Sequence, residues 1–195
     1  MELVLVRHAE VSEEARGRCY GRLDVGLSEN GHRQSRRIAE RLAGEAVAAV
    51  VCSPARRTRE TAAAVAVRHE LEVTILDELS ELDFGELEGR TYEEIESKWP
   101  ELYAAWMTEP SSVAFPGGEA LADLRARVAA AVTRLRTEYD GSVVVAITHA
   151  GVVRAVLADA LGMPDDRFFR IDVEPASITR VGWRDGVAVV QVVNS

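Results

Sequence analysis

Two unbroken aliphatic runs, Leu3-Val4-Leu5-Val6 and Val143-Val144-Val145-Ala146-Ile147, constrain this chain more than any other feature. Each is short and bounded by polar residues, the pattern of a strand buried on both faces of a parallel sheet. Each leads directly into a histidine: Arg7-His8-Ala9-Glu10 follows the first run and Thr148-His149-Ala150-Gly151 the second. In open α/β sheets, ligands bind outside the carboxyl ends of such strands. The chain has only 4 histidines, so two of them at strand ends, one beside an arginine, point to a built site for an anionic group.

The rest of the chain alternates strand and helix signals. The first strand covers about residues 2–7, and residues 8–27, punctuated by Gly17, Gly21 and Gly26, read as a loop. Ser28 is placed to cap a helix running to about Ala43, with Ile38 and Leu42 facing inward. Val47–Val51 reads as the second strand. Ser53-Pro54 then supplies an N-cap and a proline at the first position of a helix running to about His69. Val73–Leu76 reads as a third strand, and residues 78–90, rich in acids and carrying Gly85 and Gly89, as an exposed functional loop. Residues 91–107 hold one or two short helices interrupted by Pro100, and Phe115-Pro116-Gly117-Gly118 is a turn. A long helix follows with Leu121, Leu124, Val128, Val132 and Leu135 on one face. After the strand at 143–148 comes a helix carrying Val152, Val153, Val156, Leu157 and Leu161. The tail reads as strands near 168–173, 177–183 and 187–193, with Asp185-Gly186 a type I′ hairpin signal. The expected fold is a single domain, residues 1–195, of α/β class: a three-layer α/β/α sandwich with a mainly parallel sheet and an antiparallel edge strand.

Charge narrows the function. A net charge of -9 argues against nucleic acid as a partner. An anionic ligand must therefore be drawn in by local arginines rather than by the global field. Cys19 and Cys52 have neither CxxC spacing nor companion histidines, so they read as reduced thiols of a cytoplasmic protein rather than metal ligands. The opening apolar run is four residues long and ends at Arg7, which gives no signal peptide and no membrane span.

Four stations carry chemistry. Arg7 offers a planar fork to two phosphate oxygens, and the neutral imidazole of His8 is a nucleophile that needs no deprotonation. Cys52-Ser53-Pro54-Ala55-Arg56-Arg57 marks a helix N-terminus, where free N–H groups favour anions; one of the two arginines faces the site and the other solvent. The acids of residues 78–90 include a candidate general acid for a departing alkoxide, without a physical reason to choose among them. His149, protonated beside a phosphate, would stabilise charge on the transferring group. An edge with arginines, two histidines and a carboxylate suits phosphoryl transfer, where catalysis is mostly positioning and charge stabilisation.

On these residues the chain resembles the histidine phosphatase superfamily, in its phosphoglycerate-mutase-like branch. The family's Arg-His-Gly-Glu stands here as Arg7-His8-Ala9-Glu10, its Ser-Pro-x-x-Arg as Ser53-Pro54-Ala55-Arg56-Arg57, and its Glu-x-x-x-Gly-x-x-x-Gly as Glu81 through Gly89. Its late Ser/Thr-His-x-Gly stands as Thr148-His149-Ala150-Gly151, and the turn Phe115-Pro116-Gly117-Gly118-Glu119 also matches. The resemblance selects Arg57 over Arg56 and Glu81 among the acids. It implies a metal-independent phosphomonoesterase without cofactor. His8 forms a phosphohistidine, Glu81 serves as acid and then base, and Arg7, Arg57 and His149 hold the phosphoryl oxygens. The substrate-binding set it implies is Arg7, Glu14, Tyr20, Gly21, Arg57, His149 and Ala150, around a small-molecule phosphate ester.

Two departures stand out. Ala9 replaces a glycine, which costs activity if that backbone needs positive φ or approaches the substrate closely. Glu14 stands where many members carry asparagine and reads as a specificity residue. Gly17-Arg18-Cys19-Tyr20-Gly21-Arg22-Leu23-Asp24 resembles a stretch of α-ribazole phosphatases, which makes α-ribazole 5′-phosphate a candidate substrate. The alternatives are a phosphoglycerate mutase-type phosphotransferase and a catalytically weak phospho-ligand-binding module. The antiparallel edge near residues 187–193 offers a route to a homodimer.

Overall fold

The computed structural model describes residues 1–195. Six strands, β1 (Glu2–Arg7), β2 (Val47–Cys52), β3 (Val73–Ile75), β4 (Val143–Thr148), β5 (Ile178–Arg184) and β6 (Val187–Val192), form one sheet in the order β3-β2-β4-β1-β5-β6. The pairs β2·β3, β2·β4 and β1·β4 are parallel, and β1·β5 and β5·β6 antiparallel. Asp185 and Gly186 both take positive φ (52° and 82°) in the final hairpin, as a type I′ turn requires.

The aliphatic runs supply both faces of the sheet at once. Side chains alternate along a strand. Leu3, Leu5, Val144 and Ala146 therefore join one core cluster, and Val4, Val6, Val145 and Ile147 the other. On the first face lie α5 (Leu121–Glu138) and α6 (Ala150–Ala160), with Leu124, Val128, Val152 and Leu157 buried against the strands. On the second lie α1 (Glu29–Leu42) and α2 (Arg56–His69), through Ile38, Leu42, Ala62 and Val65. This is the expected three-layer sandwich. Two shorter helices, α3 (Tyr92–Lys98) and α4 (Pro100–Thr108), meet at Pro100, where the missing N–H favours a new first turn. No helix is long and apolar enough to cross a membrane.

Two expectations fail for a local reason. Residues 168–173 are not a strand: Asp165–Arg170 forms a 3₁₀ turn that buries Phe168 and turns Phe169 outward. Both neighbours of β1 are already taken, and the carbonyls of Ile171 and Val173 accept from arginine side chains instead of a ladder. Ser53 does not cap α2, which starts at Arg56 after an extended Ala55; its hydroxyl is directed to His149. By contrast Ser28 caps α1 as read, its Oγ accepting from the Gly31 N–H at 2.9 Å.

Candidate active site

The register of the central strands builds the site. Arg7 pairs with Thr148 across the parallel β1·β4 ladder, so the next residue on each strand, His8 and His149, leaves the sheet at the same level. The His8 N–H donates to the Thr148 carbonyl at 2.8 Å, and the two imidazoles meet edge to face with centroids 5.3 Å apart. Both are almost fully buried.

Hydrogen bonds fix the tautomer of each ring. His8 Nδ1 lies 2.8 Å from the Ala9 carbonyl, which can only accept, so Nδ1 carries the proton. Its Nε2 keeps a lone pair and bonds to no other residue. His149 Nδ1 lies 3.1 Å from Arg57 Nη2, which can only donate. The His149 proton is therefore on Nε2, which donates to Ser53 Oγ at 2.7 Å. Ser53 in turn bonds to Thr58 Oγ1 at 2.9 Å, whose own proton goes to the Ala55 or Ser53 carbonyl. Burial holds the pKa of His8 well below its ordinary value, reinforced by Arg57 and then Arg7. His149 is lowered in the same way, by burial and then by Arg57, His8, Arg7 and Arg127. Both the hydrogen bonds and burial thus favour a neutral His149 in the free protein, where a second ring proton would face a guanidinium.

Arg57, on the first turn of α2, is fully buried. Its Nη1 donates to the Leu23 carbonyl at 2.8 Å and its Nη2 to the Gly21 carbonyl at 2.5 Å, while the Tyr20 ring packs 5.0 Å from its central carbon. Arg7 Nη1 donates to the Val173 carbonyl at 2.5 Å. The Nε groups of both Arg7 and Arg57 are buried without a partner. Arg56, by comparison, is exposed and pairs with Glu60 at 2.7 Å, so only one of the two arginines turns inward.

Glu81 is delivered by the loop before α3. Its carboxylate accepts from its neighbour's N–H (Leu82, 2.9 Å) and from Gly151 N–H at the start of α6 (3.1 Å). A Cβ on Gly151 would stand 2.1 Å from Glu81 Oε1, so a larger residue here must push the Glu81 carboxylate aside. Glu81 and His149 line one cavity of ≈ 420 Å³ together with Gly21, Arg22 and Ser80. Ala150, buried, opens α6 beside them.

The remaining expected residues divide. Tyr20 and Gly21 join the site; the Tyr20 ring lies edge-on to His8 at 6.3 Å. Glu14 is exposed and lines a neighbouring cavity of ≈ 360 Å³ with Arg18, Tyr20 and Asp24, not the one lined by Glu81 and His149. Ala9 has no positive φ; it is buried, and its N–H donates to Thr61 Oγ1 at 3.2 Å, so its methyl is accommodated without strain. Glu10 is committed to the start of α1, accepting from Ser28 Oγ at 2.6 Å.

Arg127 and Arg154 escaped the sequence reading. Arg127, from α5, donates to the carbonyls of Glu78, Ser80 and Glu81 at 2.7–3.0 Å and pairs with Glu119 at 3.0 Å, holding the loop that presents Glu81. The available signal was its place: it falls three residues after Leu124 and four before Ala131, on the buried face of α5.

The family model of the histidine phosphatase superfamily (branch 1) matches residues 3–195. Phosphoserine phosphatase 1 of Hydrogenobacter thermophilus is 34% identical over 194 residues, covering 100% of this chain and 92% of that protein. The adenosylcobalamin/alpha-ribazole phosphatase of Salmonella typhimurium is 30% identical over 195 residues, covering 100% and 96%. Among solved structures, a mycobacterial glucosyl-3-phosphoglycerate phosphatase superposes with a TM-score of 0.90 at 28% identity, covering 100% of this chain and 98% of that one.

Proposed function

The chain belongs to the histidine phosphatase superfamily and is a phosphoric monoester hydrolase; from that premise we propose that His8 Nε2 is the atom that takes the phosphoryl group. The observation that carries this reading is the hydrogen bond from His8 Nδ1 to the Ala9 carbonyl. It leaves Nε2 as a free lone pair on a neutral ring, flanked by two buried guanidiniums whose Nε donors have no partner. In the first step Nε2 bonds to phosphorus and the ester P–O bond breaks. Its electron pair stays on the leaving oxygen, which takes a proton from Glu81. In the second step Glu81 takes a proton from water as that water attacks phosphorus. The P–N bond then breaks, inorganic phosphate leaves and the His8 lone pair returns. Arg7 and Arg57 meet the phosphoryl oxygens, and His149 orients Arg57 through its Nδ1. Gly21, Tyr20 and Ala150 complete the walls.

The substrate is a small phosphate ester. The relatives named above act on different ones, and α-ribazole 5′-phosphate remains the candidate suggested by residues 17–24. With two buried free thiols, a reducing cytoplasm suits the protein. The weak-binder alternative rested on Ala9 and Glu14. Neither supports it now, since Ala9 is unstrained and Glu14 lines the neighbouring cavity.

The test is phosphate release in EDTA from a panel of esters, with acid-quenched trapping of ³²P on the protein. Turnover and a labelled phosphohistidine, both lost in His8→Ala, are expected. Turnover that survives His8→Ala overturns the assignment, and isomerisation of phosphoglycerate without phosphate release reassigns the chain as a mutase.

A further inference from the structure

The turn Phe115-Pro116-Gly117-Gly118-Glu119 is a motif to which the proposed phosphoryl chemistry gives no part. It lies flush against the loop that carries Glu81. A Cβ on Gly118 would stand 2.3 Å from the Asp83 carbonyl oxygen, and one on Gly85 2.2 Å from the Pro116 carbonyl oxygen. Backbone packs on backbone at both places, which only glycine permits. The Glu86 N–H donates to the Pro116 carbonyl at 2.9 Å, and the Glu119 N–H to the Asp83 carbonyl at 3.0 Å. Fixed in this way, the turn delivers the Glu119 side chain just ahead of α5, with only 12% of it exposed.

Separate parts of the site meet on that carboxylate. Arg22 Nη2 donates to it at 2.7 Å, Arg127 Nε and Nη2 at 3.0 and 3.1 Å, and the Asp83 N–H at 3.4 Å. On one side, Arg127 grips the carbonyls of Glu78, Ser80 and Glu81, the stretch that presents the general acid. On the other, Arg22 follows Gly21, whose carbonyl accepts from Arg57 Nη2 at 2.5 Å. The Arg22 N–H is itself held by Glu88 Oε1 at 2.7 Å. Glu119 is thus the junction between the arm that holds Arg57 and the arm that holds Glu81. Its charge matters as well as its shape. Backbone carbonyls orient Arg127 without neutralising it, and Asp83 reaches Arg22 alone, at 3.6 Å, whereas Glu119 pairs with both guanidiniums. Without that carboxylate two cations would share a partly buried place with no common counterion.

We propose that Glu119 is a positioning residue: by pairing with Arg22 and Arg127 together, it sets where Glu81 stands relative to the phosphoryl group held by Arg57. Its effect on the reaction therefore runs through protonation of the leaving oxygen. Arg22 lines the cavity shared by Glu81 and His149, and Glu119 stands behind it. This rests on the phosphatase reading above, with Glu81 as the general acid.

Two esters of similar shape isolate that step. Phenyl phosphate releases a basic oxygen that needs a proton, and 4-nitrophenyl phosphate a weakly basic one that does not. Their kcat/KM values report the first phosphoryl transfer, in which the ester bond breaks. Glu119→Gln keeps the shape and removes the charge. It is expected to lower kcat/KM for phenyl phosphate by about 10- to 100-fold, within what a positioned general acid supplies, and for 4-nitrophenyl phosphate by less than about threefold. Arg22→Met, an exposed change that cuts one link of the junction, is expected to show the same selectivity in smaller measure. In a Glu81→Gln background, Glu119→Gln is expected to leave the ratio of the two esters where Glu81→Gln alone puts it, because the two changes act on one step. An equal loss on both esters, no loss, or a selective loss that recurs in full in the Glu81→Gln background overturns the proposal; the first of these leaves Glu119 a structural anchor. If Glu119→Gln does not fold, Arg22→Met decides by the same criteria. A wild type that turns over neither ester is a different result: it removes the phosphatase reading itself, and this proposal with it.

Discussion

Lowering the pH from 8 to 5.5 should cost this protein about 3 kcal/mol of stability, and two residues should account for nearly all of it. His8 and His149 are held well below their ordinary pKa by burial, with Arg57 the next cause for both and Arg7 and, for His149, Arg127 adding to it. The unfolded chain binds a proton at each near pH 6.5, and the native state does not. Native stability from this source is therefore complete only well above pH 6.5 and is lost as the pH falls through that value. Linkage gives a loss of about 0.4 kcal/mol for each histidine at pH 6.5 and about 1.4 kcal/mol at pH 5.5, so about 2.8 kcal/mol for the pair. The carboxylates with depressed values, Glu10, Glu60 and Glu78 among them, give up their share only below the ordinary carboxylate range, outside this window. Urea unfolding followed by circular dichroism at pH 8.0, 6.5 and 5.5 reads the effect directly. His149→Gln and His8→Gln should each halve the loss between pH 8 and 5.5, and the double variant should nearly remove it. Parallel pH–stability curves for the wild type and both variants would refute the neutral-histidine description and the tautomers built on it.

Three further outcomes follow from the site's packing. Gly151→Ala places a methyl 2.1 Å from Glu81 Oε1, and because positioned general acids contribute about 10²–10⁴ in rate, kcat should fall by at least tenfold with KM little changed; an unaltered kcat contradicts the close approach. Ser53→Ala removes the acceptor of the His149 Nε2 proton and should destabilise the fold by about 1–3 kcal/mol in urea titrations, whereas a neutral effect means the Ser53 bond is not made. Cys19 and Cys52, buried and with thiols pushed up to about 12 and about 11, should resist iodoacetamide at pH 8 until the protein is unfolded; rapid labelling of the native state would show that the core opens locally.

The sequence made the sheet legible because its central strands are buried on both faces, and unbroken runs such as Val143–Ile147 have few other homes. It made His8, His149, Arg57 and Glu81 legible because each follows a strand or sits in a loop whose spacing could be matched to a family. The misreadings share one physical cause. Ser53-Pro54 and Phe168–Val173 carry ordinary local signals, a helix cap and a strand, and in both places side chains from elsewhere in the fold claim the polar groups: His149 takes the Ser53 hydroxyl, and Arg7 and Arg154 take the carbonyls of Val173 and Ile171. Arg127 and Arg154 were invisible for the complementary reason. An arginine on a helix reads as solvated surface until the tertiary structure turns it toward backbone carbonyls.

The free site is organised around charge that it does not itself neutralise. Arg7 and Arg57 lie beside His8 and His149, and neither forms an ion pair with a carboxylate; backbone carbonyls of residues 21, 23 and 173 and neutral imidazole hold them instead. Neutral acceptors orient a guanidinium without cancelling it, so the field is preserved for an incoming dianion. The same arrangement keeps His8 unprotonated and hence nucleophilic, because a proton on its ring would add to the local positive charge. A chain of net charge -9 can thus take an anionic ester without a basic surface, by holding uncompensated cations in a buried place. Such a site stabilises the fold only when filled: a phosphate-like ligand at 100 times its Kd should add about 2.7 kcal/mol to unfolding, and it should restore part of the stability lost at pH 5.5 by giving the two histidines a counter-charge.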